Sequence, residues 1–184
     1  MENNTLQALI QENPAYRNII ERTSVRRFTE EPLTELQKQA LLHAAMSAPS
    51  GVNKQPWEFI LVDDKKILQR LADALPYAKM TAQSPLAIIV CGNPERFLEG
   101  EDSTLWEQDL SAASENILLA ARALDLGAVW TCLYPHADRI QSVREILGIS
   151  DAIIPFNLIP VGHPAINHTP MDKWRPERVH HNKF

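Results

Sequence analysis

A chain of 184 residues, 45% hydrophobic and 22% charged, has the size and composition of one soluble globular domain whose core needs neither disulfides nor metal. A net charge of −5 excludes a general nucleic-acid binder, which needs an excess of Lys and Arg to displace counterions from phosphates. No segment approaches the roughly 20 apolar residues of a membrane span, and MENNTLQALIQEN has no basic stretch followed by an apolar one, so no secretory signal is read and a cytoplasmic location is expected.

Residues 4 to 12 read as a short helix that stops before Pro14, and Ala15 to Ile20 as a further turn or two. Thr34-Glu35-Leu36-Gln37 has the T-x-x-Q form of a capping box. From it a helix is expected with Leu36, Ala40, Leu41, Ala44 and Ala48 on one apolar face, ended by Pro49. Phe59 to Val62 reads as a strand, and Lys65 to Leu75 as a helix with Ile67, Leu68, Leu71 and Leu75 on one side. The continuous apolar run Leu86 to Cys91 suits a strand buried on both faces.

Leu110, Ala113, Ile117, Ala120 and Leu124 recur at helical spacing, which predicts a long helix over roughly Thr104 to Leu124 with Gly127 as its stop. Ala128 to Tyr134 reads as a third strand, Ala137 to Leu147 as a helix ended by Gly148, and Phe156 to Val161 as a fourth strand. The stretch from Pro164 to Phe184 is polar, punctuated by Pro164, Pro170 and Pro176, and reads as an extended arm. No repeat, low-complexity tract or linker divides the chain, so residues 1–184 are taken as one domain.

The chemistry-bearing residues fall into three groups. Arg22, Ser24 and Arg26 alternate, and in an extended segment they share one side, where guanidinium forks and a hydroxyl suit a phosphate. The competing reading is a solvated charged turn pairing with Glu30 and Glu31. Lys173-Trp174-Arg175 repeats the alternation of cations near the C-terminus, where a basic tail or a surface ion pair is the competing reading. The loop SAPSGVNKQPWEF, from Ser47 to Phe59, collects Pro49, Ser50, Gly51, Asn53 and Pro56 beside a Trp, a composition that suggests something lies against it.

Neither a G-x-G-x-x-G nor a G-x-x-x-x-G-K loop follows any strand, so side chains must hold any anionic cofactor. Cys91 and Cys132 sit in apolar runs without a C-x-x-C spacing and read as buried free thiols. The six histidines show no metal-ligand spacing with Cys, and Trp57, Trp106 and Trp130 read as core or interface residues.

Taken in order, R-x-S-x-R, then P-S-G-x-N-x-Q-P-W before a strand, then a long alanine-rich helix followed by L-G, then K-x-R near the C-terminus, resemble the FMN-dependent nitroreductase family. The resemblance runs from about Arg22 to Phe184 and leaves residues 1 to 15 outside as an N-terminal helical extension. It implies an α+β fold with a central mixed β-sheet flanked by helices. It also implies a homodimer that exchanges the arm of residues 164–184 and binds FMN between its subunits.

The same resemblance implies that Arg22, Ser24, Arg26, Lys173 and Arg175 hold the phosphate, ribityl chain and pyrimidine edge, while Pro49, Ser50, Gly51 and Asn53 of the second subunit close over the flavin. Cys132, Leu133 and Tyr134 are candidates for contacts near N5 and O4 through backbone amides, and Lys79 for the pyrimidine ring. Thr23 departs from the Arg or His carried by many members. No side-chain acid or base is required. The implied activity is NAD(P)H oxidation with ping-pong transfer to nitroaromatic, quinone or similar acceptors. An FMN carrier or sensor, and dehalogenation, enal reduction or flavin fragmentation on the same fold, are the alternatives.

Overall fold

The computed structural model describes residues 8–184; residues 8–12 are helical, and the rest of the helix expected over 4 to 12 lies outside the described residues. Helix α1 spans Pro14–Glu21, capped by Asn13, whose side chain accepts the Tyr16 N–H at 3.0 Å. Helix α2 spans Glu35–Met46 and starts at the expected capping box, Thr34 taking the Gln37 N–H while the Gln37 side chain takes the Thr34 N–H. Strand β1 is Trp57–Val62, helix α3 Lys65–Ala74 and strand β2 Leu86–Gly92. Helix α4 is Trp106–Ala123, followed by β3 Gly127–Ala128, β4 Thr131–Cys132, helix α5 Ala137–Leu147 and β5 Ile154–Gly162.

The sheet runs β1-β2-β5, with β3 and β4 both on the far edge of β5. All of these strand pairs are antiparallel; the parallel component of the expected mixed sheet is the single bridge Ser24–Ala128. Strand β2 explains the layering. Leu86, Ile88 and Val90 point into a core with Leu41 and Ala45 of α2 and Leu110, Ala113 and Ile117 of α4. Ala87, Ile89 and Cys91 point the opposite way, against Leu68 and Leu71 of α3 and Val143 of α5. Each fully buried Leu or Ile contributes about 1.5–3 kcal/mol, so a strand apolar on both faces demands a helix layer on each.

Four expectations need correction. Leu36 is 75% exposed, because the packed stripe of α2 runs through Leu41 and Ala45, about 140° and 180° around the helix from it. Helix α4 is stopped by Asp125 rather than Gly127: Asp125 takes φ 56°, and the Leu126 N–H closes onto the Ala121 carbonyl at 2.8 Å, a Schellman arrangement. The third strand is two short pieces. Both keep one register along β5, and the gap falls where Val129 faces Pro160, which has no N–H to give. Cys132 is exposed, and only Cys91 is buried.

Gly127 serves close approach instead. A Cβ there would lie 2.5 Å from Val25 Cβ, in the segment that forms the Ser24–Ala128 bridge. Gly127→Ala must therefore push that segment off the sheet, and a loss of about 1–3 kcal/mol is expected, read as a lower urea midpoint at unchanged slope.

Candidate functional site

The segment after α1 is threaded between the sheet and the start of the arm. Val25 N–H donates to Ala128 O at 3.0 Å on one side; on the other, Thr29 N–H donates to His163 O at 2.9 Å and Ala165 N–H to Arg27 O at 3.0 Å. With the Phe28–Pro164 bridge, these bonds start the arm that carries Lys173 and Arg175 beside the R-x-S-x-R segment. The cations then differ. Arg22 is largely covered and pairs with Glu115 of α4 at 3.4 Å, whereas Arg26 is exposed and makes only a 3.4 Å contact to Ser24 O. Lys173 and Arg175 are exposed on the arm. Among the described residues, no ion pair engages Arg26, Lys173 or Arg175.

A cavity of about 450 Å³ opens behind this segment, lined by Thr23, Val25, Leu118, Arg122 and His168 together with Arg22. Ser24 and Arg26 do not line it whereas Arg22, Thr23 and Val25 do, so the expected sharing of one side by Arg22, Ser24 and Arg26 fails at Arg22, which turns toward Glu115 of α4.

The Pro49 to Asn53 loop attaches elsewhere. Gly51 N–H donates to Asp109 Oδ1 on α4 at 2.9 Å, and Gln55 N–H to Ser50 Oγ at 2.9 Å. Trp57 is buried at the exit into β1. Asp109 and Glu115, the anchors of the loop and of Arg22, lie about 9 Å apart along α4 and about 120° around it. The loop and the arginine segment are thus anchored on different sides of α4. Lys79 is exposed on a short turn whose neighbour Ala78 packs into the α3 and α5 core, on the other face of the sheet from α2 and α4.

The segment after β4 departs from expectation for a clear reason. The β2–β5 register shifts so that Val90 pairs with Asn157 but Cys91 with Pro155, leaving Phe156 as an unmatched residue. The Phe156 carbonyl accepts both the Leu133 N–H at 3.1 Å and the Tyr134 N–H at 3.0 Å. Those amides are thus spent within the chain. The Leu133 side chain is buried in the α3 and α5 core. Tyr134 donates its hydroxyl to Glu107 Oε1 at 3.1 Å, and burial, then this bond, raises its phenol above the ordinary value. Its ring joins Trp106 at 4.9 Å in an edge contact, and Phe97 stacks on Trp106 at 4.7 Å. Cys132 remains as an exposed group on the sheet edge.

Asp109 and Glu107 escaped the sequence reading. The available signal was an acid at position 109 in the otherwise apolar stripe of Trp106, Leu110, Ala113 and Ile117.

Residues 19–76 and 73–163 match the sequence model of the nitroreductase family. The chain belongs to the nitroreductase family. A relative from Methanothermobacter thermautotrophicus named "Putative NADH dehydrogenase/NAD(P)H nitroreductase" is 41% identical over 163 residues, covering 89% of this chain and 84% of that one. A crystal structure under the same name from Bacteroides thetaiotaomicron is 44% identical with a TM-score of 0.88, over 94% of this chain and 99% of that one. A nitroreductase-family structure from Desulfovibrio desulfuricans in complex with FMN is 30% identical with a TM-score of 0.79, over 94% and 98% of the two chains. Against this family background the α+β sheet with its helix layers is the expected fold. No helix among the described residues is long and apolar enough to cross a membrane.

The two thiols of this nitroreductase-family chain differ in reach. Burial, with the Glu58 carboxylate adding to it, pushes the Cys91 thiol up to about 12, while Cys132 is open to solvent. A disulfide reagent at pH 8 should titrate Cys132 in the folded cofactor-free protein and Cys91 only after denaturation, which peptide mapping of the labelled protein checks.

Proposed function

We propose that this chain is an FMN-dependent NAD(P)H oxidoreductase, acting as a homodimer that shares its flavin sites between subunits. The observation that carries the reading is the set of cations without ion pairs, Arg26, Lys173 and Arg175, on two segments that the Phe28–Pro164 bridge joins. Their donor chemistry fits a terminal phosphate and an electron-rich ring edge, and the sequence lacks a glycine-rich loop for a dinucleotide.

Lys173 and Arg175, with Arg22 and Ser24, would hold the phosphate and ribityl chain, and Arg26 would stand at the ring. Pro49, Ser50, Gly51 and Asn53 would come from a second copy, which accounts for the separation of loop and arginines on α4. Cys132 and Tyr134 stay on the sheet edge beside the ring, and Lys79 is retained only as an outer contact on the pyrimidine side. When bound, FMN takes hydride equivalents from NADH or NADPH and passes electrons to an acceptor. The chain's residues bind, orient and supply positive charge; no side-chain acid or base is assigned. Nitroaromatic and quinone compounds are the proposed acceptor class, using the same place as the reductant in turn.

The purified protein should be yellow, release FMN rather than FAD on heating, and oxidise NADH or NADPH in the presence of a nitroaromatic or quinone. A protein that takes up no FMN would overturn the reading, and one that binds FMN without oxidising either nucleotide would restrict it to a carrier.

The charges also separate by measurement. Arg26→Ala should lower the midpoint potential of bound FMN by about 30 to 60 mV, the equivalent of one charge-assisted hydrogen bond that only the reduced cofactor uses fully. Arg175→Ala should weaken both oxidation states alike and leave the potential nearly unchanged. Redox titration showing equal shifts would refute the division between ring and phosphate.

A further inference from the structure

The turn from Ser50 to Gln55 is held in a form that its residues disfavour. Val52, Asn53 and Gln55 have φ of 51°, 57° and 49°, a region that crowds the Cβ of any L residue and most of all a β-branched one. Val52 gains no burial in exchange, being 82% exposed. Most bonds of the turn are internal: Asn53 N–H to Ser50 O and Lys54 N–H to Gly51 O, both at 3.0 Å, and Gln55 N–H to Ser50 Oγ. Only two reach the body of the protein. Arg96 Nη1 donates to Gln55 O at 3.3 Å from an exposed position, and Gly51 N–H donates to Asp109 Oδ1 at 2.9 Å.

Asp109 is the unusual partner. It is 9% exposed, and among the described residues no Lys, Arg or His pairs with it. Covering a carboxylate without a cation is unfavourable, and an apolar residue would continue the α4 stripe at lower cost. Gly51 leaves room for the approach, since a Cβ there would already stand 3.3 Å from Leu98 Cδ1. Further along, Gln55 Nε2 donates to Asn53 Oδ1 at 3.1 Å, which leaves the Asn53 Nδ2 group directed to donate.

We propose that Asp109 is a positioning residue of the flavin site: by accepting the Gly51 N–H it holds the Ser50–Gln55 turn in its strained form and presents Asn53 as a donor to an acceptor atom of FMN. This rests on the FMN reading above. Asp109 itself touches neither cofactor nor substrate.

The test is titration of the cofactor-free protein with FMN, read by visible circular dichroism as well as affinity. Asp109→Ala should raise the Kd about tenfold or more and alter the dichroism, whereas Asp109→Asn, whose Oδ1 still accepts, should stay within about threefold of the native chain. Adding Val52→Gly to Asp109→Ala relieves the strain at the β-branched position without restoring the bond and should recover part of the loss. Native affinity and dichroism in Asp109→Ala would overturn the proposal, as would an Asp109→Asn variant as weak as the alanine one. Hydrogen exchange decides independently of how the variants fold: the Gly51 amide of the native chain should be protected, and exchange at the free rate would also overturn the proposal. Failure of the native chain to bind FMN would remove the reading and this inference together, while the other adverse outcomes remove the inference alone.

Discussion

The packing of α4 onto β2 and β5 is the constraint from which the rest of this structure hangs. Ala113, Ile117 and Ala121 are fully buried there, and small side chains let the helix axis approach the sheet closely. Once α4 is fixed, its polar positions are fixed with it, and each reaches a different segment. Glu107 takes the Tyr134 hydroxyl, Asp109 the Gly51 amide, Ser114 the Asn157 amide at 2.6 Å, and Arg122 pairs with Glu21 at 2.7 Å. Asn116 donates to Ala44 O of α2 at 2.9 Å. The helix therefore works as a template that sets the angular positions of loop, sheet edge and N-terminal segment relative to one another.

That template also anchors the Pro49 to Asn53 loop and the arginine segment at separate places. Residues on one helix separated by six positions face directions about 120° apart, so the segments tied to Asp109 and to Glu115 are anchored on different sides of α4. In the homodimer proposed above, two copies of the template would supply the two kinds of segment to one flavin. In this light the arm is notable for Met171 and Trp174, which are 73% and 63% exposed.

Sequence periodicity revealed most of the scaffold because burial dictates it. The capping box at Thr34, the two-faced strand at Leu86 to Cys91 and the Gly148 stop, with φ 67°, each follow from local chemistry that the residues carry openly. What was hidden depends on partners distant in the chain. The break between β3 and β4 comes from Pro160 across the sheet, and the loss of the Leu133 and Tyr134 amides comes from a bulge at Phe156. Neither cause lies within the segment affected. The candidate site was legible as a set of cations and turn formers, but which cations stay unpaired was not, since Glu115 captures Arg22 from the middle of another helix.

That last distinction bears on how a chain of net charge −5 can attract an anionic ligand at all. Screening at physiological ionic strength limits exposed charges to a range of about 8 Å, so the overall balance matters less than the charges at the edge itself. Acidic residues are spent on cations that fasten elements together: Lys38 with Glu35 and Asp63, Arg122 with Glu21, Arg144 with Asp151. Lys38 shows the strength of such pairing, its ammonium raised above the ordinary value chiefly by the Asp63 hydrogen bond. Arg26, Lys173 and Arg175 take part in no ion pair among the described residues, so an excess of acid over the whole chain coexists with unpaired cations on these two segments.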